Sequence, residues 1–232
     1  MINANLDRCL SFIYSQTAPT AHSGAAIGQR RAVTISRQAG CGAVMVAEKL
    51  ANYLQEHAPK SGVKWTIFDR QLMAKVLEDH NMPAVLAKFL PEDRTPAVQN
   101  LLADIFNVLP SENKLLQQIA ETVLHLAELG NVIIVGRGAN IVTARLPRVL
   151  HVRLVADLED RIERVCREYN KTPEAARRYC LEEDPARTRY MKTYFKTDIN
   201  DPLLYHLVIN TSNIGYDNSA RIIADAVLRL GP

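Results

Sequence analysis

The feature that most constrains this chain is a β-branched run that passes straight into a glycine loop and then into a helical pattern. Residues 31–36 read RAVTIS, a strand signature. Arg37-Gln38-Ala39-Gly40-Cys41-Gly42-Ala43 follows directly, and Val44, Val46, Ala47, Leu50, Ala51 and Leu54 then recur at helical spacing. A strand that turns this tightly into a helix is the opening of a βαβ unit, and such a unit needs parallel partner strands.

The rest of the chain supplies them. Apolar or β-branched runs predict strands at 63–68, 131–135, 149–155 and 205–210. Helices are predicted at about 70–79, 84–90, 96–108, 112–129, 157–193 and 216–230, punctuated by Pro83, Pro91, Pro96 and Pro110. Asp157 is placed to cap the helix that follows it. The alternation implies an α/β fold, a parallel five-stranded sheet with helices on both faces. Ligands in such folds bind at the carboxyl ends of the strands, near a switch in strand order. The glycine loop, Asp69 and Arg137 each lie just past a strand end, so they are expected to share one crevice.

Composition narrows the function classes. The chain has 232 residues, 47% hydrophobic and 23% charged, which fits one globular domain and excludes disorder, collagen and a disulfide scaffold. A net charge of +3 does not mark a nucleic-acid binder. No apolar run is long enough to span a bilayer, and the first sixteen residues lack a signal-peptide layout. Cys9, Cys41, Cys166 and Cys180 form no C-x-x-C pair and suit a reducing compartment. A cytoplasmic protein without membrane or nucleic-acid partners is expected. Residues 1–31 read as a short amphipathic helix, about 5–16, and a flexible linker; 32–232 read as the domain, with a helical insertion at about 70–129.

Several residues carry chemistry. Glycines in a strand-to-helix loop let backbone N–H groups point at phosphate, and the helix N-terminus adds a favourable dipole. Against the full phosphate-loop pattern G-x-x-x-x-G-K-[ST], however, Arg37 replaces the first Gly, Ala43 the Lys and Val44 the Ser or Thr. The side chain that grips phosphate and the hydroxyl that holds Mg²⁺ are both missing, so a tight turn without ligand stays open. Cys41 sits where a helix dipole lowers a thiol's pKa, but no base is paired with it in the sequence. Asp69 reads equally as a ligand for acceptor hydroxyls or metal and as an N-cap for the helix beginning at Arg70. Arg137, between two glycines at the end of a buried strand, calls for an anionic partner. In Glu182-Glu183-Asp184-Pro185-Ala186-Arg187-Thr188-Arg189, Arg187 and Arg189 are two apart and share no face of a regular helix. Taken as a charge run, this stretch and the neighbouring Arg161, Arg164, Arg167, Arg177 and Arg178 read as a solvated surface.

The motifs together resemble the cytidylate kinase-like P-loop proteins. VTISRQAGCGAVMVAEKLA is similar to that family's opening. IFDRQLM, VIIVGRGANIV, RLPRVLHVRLVADLEDRIERV and DPLLYHLVINTSNIG follow in the same order across roughly residues 32–230. LDRCLSFIYSQ is similar to a leader found on some members. The family's loop is commonly S-R-x-x-G-S-G-G, so loss of the loop Lys belongs to this branch, whereas Cys41 and Ala43 are departures here.

The resemblance implies a P-loop three-layer sandwich with a helical lid at about 172–197. It also implies ATP- and Mg²⁺-dependent phosphoryl transfer to a nucleoside monophosphate, CMP or dCMP first. On that reading Arg37, Gly40, Cys41, Gly42 and Ala43 hold the donor phosphates, and Asp69, Arg70 and Arg137 face the acceptor. Asp69, Arg137, Asp184, Arg187 and Arg189 then serve the transfer. Related enzymes carry G-R-D where this chain has Gly136-Arg137-Gly138, so one carboxylate is missing. A kinase of another small acceptor and a non-catalytic nucleotide binder remain alternatives. The helical insertion either shapes acceptor choice or forms a homodimer face.

Overall fold

The computed structural model describes residues 11, 12, 15, 30–57, 63–69, 86, 95–111, 113–136 and 138–231. Five strands form one sheet: β1 (Ala32–Arg37), β2 (Thr66–Phe68), β3 (Val132–Val135), β4 (Val149–Val155) and β5 (Leu207–Asn210). The order is β2-β3-β1-β4-β5 and every pairing is parallel. The helices are α1 (Ala43–His57), α2 (Thr95–Val108), α3 (Lys114–Leu129), α4 (Ala139–Val142), α5 (Leu158–Tyr169), α6 (Pro173–Phe195), α7 (Thr211–Ile214) and α8 (Tyr216–Arg229).

Strand alternation divides the core in two. Val33, Ile35, Ile133, Leu150 and Val152 face α1 and α8, where Val46, Leu50, Ile223 and Val227 complete one apolar layer. Ala32, Val132, Ile134 and Val149 face the other way, against Leu116, Val123 and Leu124 of α3 and Met191 and Phe195 at the end of α6. Burying a Leu or Ile side chain of this kind is worth about 1.5–3 kcal/mol, so each layer holds the sheet firmly. On the second face the aliphatic pattern stops at the β1–β4 pair. Thr34 is in register with His151, and Ser36 with Arg153.

Differences from the sequence pattern have local causes. β2 starts at Thr66 rather than 63, because Val63 O accepts from Asn131 Nδ2 (2.9 Å) and Trp65 N–H donates to Gln55 Oε1 (3.1 Å). β5 starts at Leu207 because Tyr205 N–H closes a short 3-10 turn onto Pro202 O. The charged stretch 157–193 is two helices. Asn170 caps α5 in the left-handed region at φ 50°, and Thr172 Oγ1 caps α6 by accepting from Ala175 N–H (3.3 Å). Asp157 holds the N-cap position of α5 without a side-chain cap bond. The predicted helix at 70–79, all of 84–90 but the buried Leu86, and most of the leader lie outside the described residues. Phe12 is described, and it packs edge-on against Phe68 at 5.6 Å within the second apolar layer.

From β1 the chain moves outward to β2, and from β3 it returns across β1 to β4. That reversal opens a crevice at the carboxyl ends of β1, β3 and β4, where the glycine loop sits.

Candidate functional site

The glycine loop is tied on both flanks and leaves its centre uncommitted. Gln38 N–H continues the ladder onto Leu154 O (3.1 Å), and Gln38 Oε1 accepts from Ala156 N–H (3.0 Å). Ala39 N–H donates to Asp184 Oδ1 of α6 (2.7 Å). Gly40 takes φ +72°, and a Cβ there would lie 2.6 Å from Arg161 O, so only glycine lets α5 press on the loop this closely. Cys41 O accepts from Thr211 Oγ1 (2.9 Å). The backbone N–H groups of Gly40, Cys41 and Gly42 meet no protein acceptor among the described residues, while that of Ala43, where α1 begins, faces the Cys41 sulfur. Free backbone donors in a strand-to-helix loop are the groups from which an anion cradle is built.

The Cys41 thiol accepts from the Ala43 N–H but adds no charge to the loop. The side chain is buried, and burial pushes its pKa up to about 11 despite the nearby Arg37 and Arg187. A neutral, enclosed thiol is a packing element, not a nucleophile.

Asp184 is the hinge of the arrangement. Its Oδ2 lies 2.5 Å from Arg161 Nη1, and its Oδ1 accepts from Arg187 Nη1 (3.3 Å) as well as from Ala39 N–H. Arg161 Nη1 also reaches Ala39 O (3.3 Å), and Arg187 Nη2 reaches Glu183 Oε2 (3.0 Å). One carboxylate thus joins loop, α5 and α6. α6 runs unbroken through Pro185. Arg187 is half-buried and Arg189 exposed, yet both line the same cavity beside the loop, so the two need no bend in the helix to share it.

Two cavities flank Arg37. A cavity of about 40 Å³ lies between Ser36, Arg37, Gly136, Asn140 and Arg187. Asn140 Nδ2 is buried there and has no hydrogen-bond partner among the described residues. The other, about 460 Å³, is lined by Arg37, Arg153, Asp184, Arg187, Arg189 and Asn200. The Arg37 guanidinium lies across the end of β3: a Cβ at Gly136 would sit 2.0 Å from its Nη1.

Asp69 directly follows β2 and is half-buried. Because β3 stands between β2 and β1, Asp69 lies about 10 Å from the loop strand by sheet spacing and lines neither cavity. Arg70 and Arg137 lie outside the described residues. Gly138, where related kinases carry Asp, has φ +67°, and a Cβ there would lie 2.4 Å from Phe195 Cε2. The aromatic end of α6 fills the space the missing carboxylate would need.

Three arginines stand closer to the loop than their sequence pattern shows. Arg161 and Arg164 read as surface, but Arg161 is 7% exposed, and Arg164 donates to Thr211 Oγ1 (3.0 Å) with its guanidinium 5.0 Å over the Tyr216 ring. Arg161 follows Asp157 by one helical turn, which puts it opposite the loop; only the packing of α5 against Gly40 reveals that. Arg153 sits inside an apparently apolar strand, VLHVRLV, and its charge was the available signal.

The parallel sheet, the strand-to-helix glycine loop and the arginine-bearing helix over it are the parts of a P-loop kinase-like α/β fold. The chain belongs to the cytidylate kinase-like family, whose model matches residues 32–213. It is 23% identical over 154 residues to a cytidylate kinase of Methanocaldococcus jannaschii, covering 66% of this chain and 86% of that one. A 124-residue stretch is 26% identical to a uronate isomerase of Corynebacterium glutamicum but spans 24% of it, too small a share to carry that reaction over. An uncharacterized protein from Eubacterium ventriosum, solved by crystallography, has the same fold: TM-score 0.66 at 17% identity, covering 85% of this chain and 98% of the other.

The residues fit a phosphate chain better than a resident metal. The cradle donors and four arginines suit phosphate oxygens. Val44 occupies the position of the Mg²⁺-holding hydroxyl, and among the described residues no three metal-ligating side chains converge. No helix among the described residues is long and apolar enough to cross a membrane.

Proposed function

We propose that this protein transfers the terminal phosphoryl group of ATP to a nucleoside monophosphate, with CMP or dCMP the first candidates. The observation that carries the proposal is the set of uncommitted backbone donors at Gly40–Gly42, directly after Arg37 and Gln38, which line one cavity with Arg187 and Arg189. Phosphoryl transfer is governed by positioning and charge neutralisation, which amides and guanidiniums supply without a loop lysine. An acceptor phosphate oxygen forms the new P–O bond as the bond to the bridging oxygen breaks, and ADP leaves. Mg²⁺ belongs to the incoming nucleotide in this reading, held by phosphates and water. Arg70 and Arg137 are assigned to the acceptor side, with Asp69 at its margin.

The test is incubation with ATP, Mg²⁺ and a panel of nucleoside monophosphates, with diphosphates resolved by chromatography. Product with CMP or dCMP supports the reading. Ala43, Val44 and Gly138 favour a second reading, a nucleotide binder without turnover; that one predicts a thermal shift with ATP and no product. Neither shift nor product overturns both.

A further inference from the structure

Arg153 is 5% exposed, in the third-from-last position of β4, and among the described residues no carboxylate is paired with it. Its partners are neutral: Ser36 Oγ accepts from Nη1 (2.9 Å), Asn200 Oδ1 accepts from Nη2 (3.0 Å), and the Tyr205 ring lies 5.8 Å from Cζ. Tyr205 is itself fixed, its hydroxyl donating to Ile199 O (2.9 Å). A guanidinium has five N–H donors, and these contacts occupy two. A buried charge held only by neutral groups is costly, and proteins keep such charges where an anion completes them.

The anion has a place to sit. Arg153 and Asn200 line the cavity of about 460 Å³ with Arg37, Arg187 and Arg189. Its carboxylate, Asp184, is already matched by Arg161 at 2.5 Å and Arg187 at 3.3 Å. The wall therefore carries an excess of positive charge. Ser36 ends one residue before the loop begins, so Arg153 stands beside the amide cradle without being part of it.

We propose that Arg153 binds a phosphate oxyanion in this cavity, at a subsite separate from the Gly40–Ala43 amides. In the nucleotide reading, on which the assignment of this oxyanion to a substrate rests, it is either the acceptor's phosphate or the donor's terminal phosphate. Asn200 keeps the guanidinium aimed at the cavity and, being uncharged, leaves its charge for the ligand.

The decisive variant is Asn200→Asp, which puts a carboxylate against Nη2 and neutralises Arg153 from within. Calorimetric titration of inorganic pyrophosphate into the full chain is expected to show affinity lowered at least tenfold by Asn200→Asp and by Arg153→Gln, with the melting temperature of Asn200→Asp unchanged or raised. Arg153→Lys, which keeps charge but not the fork, is expected to fall between. Two nucleotide arms separate the sources. If the variants weaken a non-hydrolysable ATP analogue but not ADP, the oxyanion is the donor's terminal phosphate. If they weaken inorganic phosphate binding to ADP-loaded protein, it is the acceptor's. Pyrophosphate binding that depends on Arg153 in a protein that binds no nucleotide overturns the kinase reading and keeps this one. Wild-type affinity for pyrophosphate in a folded Asn200→Asp protein overturns the subsite.

Discussion

Arg161 and Arg153 are both more than nine-tenths buried; Arg161 braces the glycine loop from α5, and Arg153 braces the end of β1 just before that loop from β4. Arg161 meets the Asp184 carboxylate, which also holds Ala39 N–H; its charge is satisfied within the fold. Arg153 meets a hydroxyl, an amide oxygen and a ring. The first region is closed electrostatically and works as a clamp. The second is left open on the side of the cavity. Burial alone does not separate a structural arginine from a binding one; the partner's charge does.

Stability should divide the two most clearly. Arg161→Met removes the partner of a half-buried carboxylate and a loop contact, and is expected to cost about 3 kcal/mol in urea unfolding. Arg153→Met loses two hydrogen bonds but relieves a buried charge without a counter-ion, so its expected cost is about 1 kcal/mol or less. Equal losses would erase the distinction between clamp and open site.

The β4 side also carries a pH signature. His151, two residues before Arg153, is buried, with Nδ1 2.9 Å from Thr34 Oγ1 and its ring stacked 4.9 Å from His206. Burial first, and His206 second, lower its pKa from the ordinary 6.5 to about 4. Between those values the unfolded chain takes up a proton that the folded chain refuses, so stability is full above pH 6.5 and falls as the pH drops toward 4. The expected loss between pH 7 and pH 5 is about 2 kcal/mol. Denaturant titrations at both pH values check it, and His151→Gln should flatten the difference.

A third comparison concerns the end of α6. Restoring the related enzymes' carboxylate by Gly138→Asp forces a side chain against Phe195 at a positive φ, and is expected to cost about 2 kcal/mol. Adding Phe195→Ala should recover none of the φ strain but relieve the contact, a coupling that a double-mutant cycle reads. Smallest of all, Arg189→Ala on the exposed face of α6 should change stability by less than about 0.5 kcal/mol. It is expected to weaken ATP binding several-fold by calorimetry, which separates a ligand-facing arginine from a solvated one.

The order of strands and helices was legible because each element carries its own period and its own punctuation. The AVTIS and VIIV runs act locally; the break at Asn170–Pro173 is local too, yet the charged helical pattern on both sides reads through it as one helix. The glycine loop was legible for the same reason: glycine spacing between a strand and a helix is a local statement about backbone geometry. Asp184 and Arg187 were visible through motif order, and the structure brings both to the loop. The resting state of Asp184, an ion pair with Arg161, was not visible, because the two are 23 residues apart and on different helices. Asp69 is a case in the other direction: it ends a strand, as the pattern shows, but the insertion of β3 between β2 and β1 sets it away from the loop.

What the sequence determined by itself is the parallel α/β frame, the phosphate-loop position and the family, since these rest on periodicity and on residues contiguous in the chain. Only the tertiary structure decided which arginines are buried and against what. Strand register places Arg153 on Ser36, helix packing places Arg161 on Asp184, and the end of α6 places Phe195 over Gly138. Each of those pairings joins residues far apart in the chain, so their energies depend on a dielectric and a partner that exist only once the layers have closed.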